Sequence, residues 1–259
     1  MAAADLATEI LADSPKAYWK CQEDGTTGHQ LPQDSSGNGL HMTTRQSTNF
    51  SYGAAGLPVL GDKMIVCAGG SGFERATLST VTHDFTIEMV VQVQAVTVDP
   101  QALIYNGDGG ANGWGLFVRT TGKLQPLLGG VAFLTITNTA LTIGTTDWYH
   151  VVFVKRAAGT APEIWINATK DTAVQATTAP AAPSGGRTFF NEDTACQGGY
   201  AHVAIYESAL SSTRIGAHYT ALTTPGTAIK TVMGVTYPGS VKTAIGLAQA
   251  SVKTVDGLV

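Results

Sequence analysis

The stretch from Gly199 to Leu222, GYAHVAIYESALSSTRIGAHYTAL, changes its period partway along, and that change limits what the chain can build. Over the first part Ala201, Val203 and Ile205 fall on one face of an extended strand, with Tyr200, His202, Ala204 and Tyr206 on the other. Around Ser211, a natural N-cap, the spacing turns helical through Leu210, Arg214, Ile215, His218 and Tyr219. One strand therefore runs into one short helix.

Two upstream stretches carry strand patterns of different kinds. In HDFTIEMVVQVQ, Phe85, Ile87, Met89, Val91 and Val93 share one face, and Thr86, Glu88, Gln92 and Gln94 the other. This predicts one core face and one wet face, with Val90 the outward exception. In DWYHVVFVK both alternating sets are apolar, Trp148, Val152 and Val154 against Tyr149, Val151 and Phe153, which predicts a strand covered on both sides. His150 falls on the Trp148 face, where a lone histidine between aromatics reads as a hydrogen-bonded structural residue.

Nearer the N-terminus, residues 4 to 12 predict a short helix through Leu6, Ile10 and Leu11, stopped by Ser14 and Pro15. PKAYWKCQE then reads as an opening strand with Ala17, Trp19 and Cys21 on one face. At 13% charged residues the chain has about half the usual share, and long charged helices are absent. The composition is that of an all-β protein.

Pro15, the Tyr18-Trp19 pair, Glu23 and the turn Asp34, Ser35, Gly37, Asn38, Gly39 resemble the laminin-G-like jelly-roll family of concanavalin-A-like sandwiches. So do DWYHVVFVK, its partner EIWIN and the strand-then-helix ending. The resemblance implies an antiparallel β-sandwich over residues 1–223, with short N- and C-terminal helices. Ala168 stands where the family has Gly after Asn167; a two-residue type I′ turn wants positive φ at both positions, which weakens the case for a tight turn there.

Residues 102 to 118 read as strand, Gly-rich loop, strand, with Asn106, Asp108 and Asn112 in the loop beside Trp114. This is the best candidate for a ligand-facing loop, offering amides and an aromatic face for a sugar, or oxygens from Asp108 and Asn112 for a calcium ion. The same residues suit a long hairpin turn, and the turn outweighs the ligand. Asp34 and Asn38 allow the same two readings, as do Asn191, Glu192 and Asp193, again with turn chemistry ahead.

Past Thr223 the composition changes, and one pattern occurs three times: IKTVMGV at 229, VKTAIGL at 241 and VKTVDGL at 252. Ile229, Lys230 and Gly234 correspond to Val241, Lys242 and Gly246, and to Val252, Lys253 and Gly257. A unit this short cannot bury its aliphatic residues alone, so residues 224–259 are expected to stack, pack on the sandwich or lie on another chain. They resemble short Lys-x-x-x-Gly repeats that anchor phage virion proteins.

The Lys and Arg residues are scattered in a chain of net charge −4, which leaves no stripe for nucleic acid. Cys21, Cys67 and Cys196 have no metal-ligand or redox spacing and read as small buried apolar residues. The first residues carry Asp5 and Glu9 where a signal peptide has basic residues, and no apolar run long enough to span a membrane follows. The expectation is a non-enzymatic virion structural protein of a tailed phage, on capsid or tail, held to other virion proteins through 224–259. Its sandwich would be a homo-oligomer, commonly a trimer, and the family resemblance implies binding to a bacterial surface glycan. No cofactor is called for beyond the calcium alternative. The other reading is a glycoside hydrolase or a secreted carbohydrate-binding module on the same fold. Hydrolysis needs a pair of carboxylates, and Glu88 stands alone on its strand.

Overall fold

A computed structural model describes residues 5–26, 30–44, 50–55, 63–68, 72–109, 111–130, 132–191, 196–224, 230–232 and 235–237. Helix α1 (Leu6–Ala12) is capped by Asp5, whose carboxylate accepts from the Thr8 N–H at 2.7 Å, and it turns Leu6 and Ile10 inward. Then come β1 (Ala17–Trp19), β2 (Thr43–Thr44), β3 (Phe50–Ala55), β4 (Lys63–Cys67), β5 (Phe73–Ala76), β6 (Phe85–Val96), β7 (Gln101–Gly107), β8 (Trp114–Val118) and β9 (Leu124–Leu128). They are followed by β10 (Ala132–Phe133), β11 (Tyr149–Lys155), β12 (Glu163–Ile166), β13 (Thr169–Lys170), β14 (Arg187–Phe190) and β15 (Cys196–Tyr206). Helix α2 (Ser212–Thr223) is capped by Ser211, whose hydroxyl accepts from Arg214 N–H at 3.2 Å.

The strands form two antiparallel sheets, as the alternating patterns require. The first runs β13-β12-β11-β6-β15-β4-β3, with β1 also paired to β15; the second runs β10-β9-β8-β7-β14-β5-β2. Their facing sides enclose the main core, which includes Trp19, Phe85, Met89, Trp114, Phe153 and Phe190. Stacking of Phe85 on Trp114 at 4.2 Å ties β6 to β8 across that core. The fold is the expected all-β sandwich with two short helices.

The far side of the first sheet is not wet. Thr86, Glu88, Val90 and Gln92 are all buried, because the helices lie over this face and pack Leu6, Ile10, Leu210, Ile215 and Leu222 against Tyr18, Val90, Val152, Ala204 and Tyr206. The expectation of a solvated face on β6 is thus overturned by two short helices from opposite ends of the chain. β11 is apolar on both sides for the same reason, as its sequence predicted.

A second correction falls within β15. Its pairing with β6 shifts between Ala201 and Ala204, and His202 there takes φ +50. The extra residue of this bulge reverses the alternation. Tyr200 therefore joins Val203 and Ile205 in the main core, while Ala201 joins Ala204 and Tyr206 under the helices.

At Asn167 and Ala168 the tight turn forms after all, with φ +50 and +58. The backbone holds it: Asn167 N–H donates to His150 carbonyl at 2.8 Å, and the Asn167 side-chain oxygen accepts from His150 N–H at 2.9 Å. Lys155 is buried, its ammonium donating to the carbonyls of Ala157, Ala158 and Thr160 and closing the loop that follows β11.

Of the three repeats, only part of the first lies among the described residues, as the antiparallel pair β16 (Lys230–Val232) and β17 (Val235–Tyr237). The anchoring positions Ile229, Gly234, Val241, Lys242, Gly246, Val252, Lys253 and Gly257 lie outside them. Among the described residues no helix is long and apolar enough to cross a membrane.

Candidate functional site

The four residues nominated as a ligand-facing loop separate into two pairs. Asn106 is fully buried at the end of β7, where its side-chain oxygen accepts from the Thr188 hydroxyl at 2.6 Å and Leu78 N–H at 3.0 Å, and its amide donates to Ser79 carbonyl at 2.8 Å. Trp114 is equally buried, its indole N–H donating to Val81 carbonyl at 2.8 Å. Neither meets solvent. Polarity and an aromatic ring marked them as binding residues, but both serve the interior instead, because a buried amide or indole must find partners.

Asp108 and Asn112 stay at the surface, on the loop joining β7 to β8. The turn component of the prediction accounts for much of this loop: Asp108 carbonyl accepts from Ala111 and Asn112 N–H groups at 2.9 and 3.2 Å. As cation ligands the pair fails. Asn112 Oδ1 already accepts from the backbone N–H groups of Asp108 and Ser184, each at 3.0 Å, and is turned toward those donors. Asp34 is likewise committed to its turn, accepting from Tyr18, Ser36 and Leu40 N–H groups, and burial notwithstanding, those bonds hold its carboxyl below the usual range. Among the described residues no group of three or more His, Cys, Asp or Glu side chains could hold a metal ion.

What the loop does form is a rim. The irregular segment 171–186 returns along this end of the second sheet, donating from Ala181 to Gly129 carbonyl and accepting there from Gly113 N–H, each at 2.9 Å. Asn112 amide donates to Ser184 carbonyl at 3.0 Å. Gly186 lies against the loop so closely that a Cβ would come 2.7 Å from Asp108 Cα. The next residue, Arg187, pairs with Glu74 at 2.6 Å on the neighbouring strand β5. Asp108, Asn112, Ser184, Arg187 and Glu74 thus share one polar rim.

Below the rim the outer side of the second sheet is aromatic. Register places Glu74, Phe189, Tyr105, Gly115, Leu127 and Phe133 in one row across six strands. Gly115 is required here: Tyr105 lies across it, and a Cβ would sit 2.5 Å from the ring. The phenol then reaches the loop and donates to Asn112 carbonyl. Phe117 and Phe133 meet edge-on at 5.0 Å, and of this group Phe133 is the exposed member, at 42%.

The densest chemistry of the chain lies elsewhere, beneath α2. Glu88 accepts from His150 Nε2 at 2.6 Å and from the Tyr206 hydroxyl at 2.6 Å, and His218 Nδ1 lies 2.9 and 3.0 Å from its two oxygens. The other ring nitrogen of His218 lies 2.9 Å from Asp13, at the end of α1. Arg214 Nε–H is shared between the two Asp13 oxygens at 3.0 and 2.8 Å, and its guanidinium reaches Glu9 at 2.7 Å. Burial works against ionising Glu88, but hydrogen bonds from His150 and His218 prevail and hold its carboxyl well below the usual range. Burial likewise lowers His218, yet Glu88 and Asp13 raise it further, so that the imidazolium form satisfies both carboxylates. Burial, then Glu88, pushes the Tyr206 phenol well up.

This cluster looks catalytic in composition but is closed. Glu88 and His150 are 1% exposed and His218 is not exposed at all, so no substrate reaches them. It fastens both helices to the central strand. Sequence reading predicted a structural His150 correctly and treated Glu88 as solitary. The available signals were the single acid in the strand, next to apolar Val90 on its face, and His218 on the same helical face as Ile215 and Leu222.

Comparison with known proteins follows the architecture. The sequence profile of the concanavalin A-like lectin/glucanases superfamily matches residues 68–216, more than half of the chain. No curated protein sequence matches significantly. Among solved structures, a Trypanosoma rangeli sialidase is similar at TM-score 0.59 and 14% identity, over 82% of this chain and 33% of the sialidase. The binding domain of Paraclostridial Mosquitocidal Protein 1 is similar at TM-score 0.59 and 16% identity, over 81% and 52%. The ligand-binding domain of botulinum neurotoxin serotype D, solved with N-acetylneuraminic acid, is similar at 0.56 and 14%, over 83% and 52%. At such identities the likeness is one of fold, and the chain spans between a third and about half of these proteins.

Proposed function

The chain belongs to the concanavalin A-like lectin/glucanases superfamily, and from that premise we propose that it is a non-catalytic, carbohydrate-binding sandwich. Its ligand would meet the polar rim formed by Asp108, Asn112, Ser184 and Arg187. The observation that carries this reading is the unequal treatment of the two outer sheet faces. Helices α1 and α2 cover one, while the end of the other presents the Asp108 carboxylate and the Arg187 guanidinium at the surface, with the Asn112 amide bonded to Asp108 and Ser184. Such planar groups accept and donate in pairs, which suits the vicinal hydroxyls of a sugar.

The state of the carboxylates supports binding over hydrolysis. A glycosidase of the two-carboxylate type needs an acid and a second carboxylate facing the scissile bond. Here Glu88 is enclosed, Glu163 is held by Arg156 and Lys170, Glu74 by Arg187, and Asp34 and Asp171 by backbone N–H groups. At the rim, Asp108 is an exposed acceptor suited to orienting a hydroxyl. The toxin domains of similar fold are binding domains, which agrees with this assignment.

The test is a glycan array followed by calorimetry on the full chain. Binding that falls at least about tenfold in Asp108→Ala and in Arg187→Ala, with melting temperature retained, is the expected result. Binding unaffected by both substitutions would remove the rim from consideration, and release of reducing sugar would replace binding by hydrolysis.

The repeats at 229, 241 and 252 favour a second reading that is compatible with the first. In it residues 224–259 attach the sandwich to a larger assembly, the expected case being a tailed-phage particle. Co-sedimentation of the full chain and of residues 1–224 with phage particles tests it: attachment by the full chain alone supports the reading, and equal behaviour of both ends it.

A further inference from the structure

We propose that one side of the sandwich is a self-association face and that its occupant is a second copy of this chain. Residues 132–146, which lead from β10 of the second sheet to β11 of the first, contain no Asp, Glu, Lys, Arg or His. Neither do residues 172–186, which lead back from β13 to β14. A third such run, residues 46–61, lies elsewhere in the chain, so it is the adjacency of these two that matters.

The fold sets them side by side. Asp171, just ahead of the second segment, accepts from the N–H groups of Asn138 and Thr139 at 3.0 and 2.9 Å. Asn138 amide donates to the Thr172 hydroxyl at 2.9 Å, and Gln175 amide to Thr135 carbonyl at 3.0 Å. The result is a surface of Thr and Ala from two uncharged segments, bordered by Lys123 beside Ala140 and by Lys170. From it project Phe133, Ile136 and Val174, exposed at 42, 38 and 85%. These are three of the five large apolar side chains exposed on the described residues.

Charge identifies the occupant. A nucleic acid, an anionic membrane or a strongly charged protein would find no charge within the two segments and only Lys123 and the Glu163-paired Lys170 at their border. A sugar would look for amides and carboxylates, yet the Asn138 and Gln175 amides already donate within the face and the Asp171 carboxylate accepts three backbone N–H groups. A two-fold contact sets a patch against its own copy, so that charges near the axis tend to meet their like. An uncharged patch escapes that cost, and depletion of charge around exposed apolar side chains is the composition of an interface core. Packing of Phe133 against Phe117 pre-orients one of the anchors. In combination with the proposed glycan-binding rim, which this inference does not require, a dimer would double the number of ligands engaged at one surface.

Sedimentation equilibrium of the full chain from low to high micromolar concentration tests the face. Dimer formation is expected, weakened at least about tenfold by Val174→Glu and by Ile136→Lys. Both substitutions are at exposed positions, and an unchanged thermal unfolding curve confirms that the fold is retained; Val174→Ile, which preserves the apolar surface, is expected to dimerise like the parent. A chain that remains monomeric throughout overturns the inference. So does association that persists unchanged in both charged variants, which would place the contact elsewhere on the chain.

Discussion

His218 Nδ1 lies 2.9 Å from Glu88 Oε1, joining the terminal helix to the central strand across 130 residues of sequence. The contact is buried on both sides and cannot be relaxed by water. Removing one partner leaves the other charged in the interior, so Glu88→Ala should cost about 3–5 kcal/mol. Chemical denaturation at neutral pH measures it, and a loss below about 1 kcal/mol would show that the contact is not maintained in solution.

The same pair sets a pH window. Glu88 is lowered from 4.5, so its contribution is complete above 4.5 and declines as pH falls toward its folded value. His218 is raised from 6.5, so its contribution is complete below 6.5 and is lost as pH rises through the folded value. For these two groups stability is therefore greatest between those limits. Melting temperatures across the acid-to-alkaline range should show this, and His218→Gln should flatten the alkaline limb in particular.

Asn106 and Asp108 are two residues apart and should behave oppositely. Losing the Asn106 side chain strands buried donors and acceptors, at about 1–3 kcal/mol for each group left unsatisfied, so Asn106→Ala should destabilise markedly. Asp108→Ala should lie within about 0.5 kcal/mol of the parent and change ligand binding alone. Equal losses of stability would contradict the separation of the loop into a buried end and a surface tip.

Lys155 should matter more than its place at the end of β11 implies. Lys155→Met keeps the stem but withdraws the donor from three carbonyls, with an expected loss of about 1–3 kcal/mol. Hydrogen exchange should quicken first at residues 156–160. Uniform change across the sandwich would argue against the local closure described here.

Gly115→Ala probes the aromatic side of the second sheet. The added methyl meets both the Ile104 carbonyl oxygen and the Tyr105 ring, each at 2.5 Å, so it should cost about 1–3 kcal/mol, shift the ring and break the phenol's bond to Asn112 carbonyl. Near-ultraviolet circular dichroism would register the movement of the tyrosine. An unaltered spectrum and stability would mean that the ring does not lie over the glycine.

Sequence was informative where one residue's surroundings follow from its neighbours along the chain. The patterns of β6 and β11, the Ser211 cap of α2 and the role of His150 could be read directly. It failed where a second segment intervened. The side of β6 carrying Glu88 and Gln92 has the pattern of a wet face, and only the two helices reveal it as a second core. The reversal at His202 escaped because a bulge adds one residue without leaving a compositional mark. Ala168 made the turn unlikely by propensity, yet bonds from Asn167 to His150 carry it.

The candidate site shows the same division. Asn106, Asp108, Asn112 and Trp114 have the composition of a binding loop, and composition alone could not separate the two that face inward. Ser184, Arg187 and Glu74 come to the rim from other segments, through register and a returning loop.

By itself, then, the sequence determined the main strands and the two helices, because periodicity and capping are local and act on every residue in turn, while the sandwich was implied by the family resemblance. Only the tertiary structure decided which outer face is covered, which acids are enclosed and which remain at the surface. Those outcomes depend on contacts between segments up to two hundred residues apart, such as Arg214 on Asp13, and burial is a property of the whole set of neighbours that no single stretch contains.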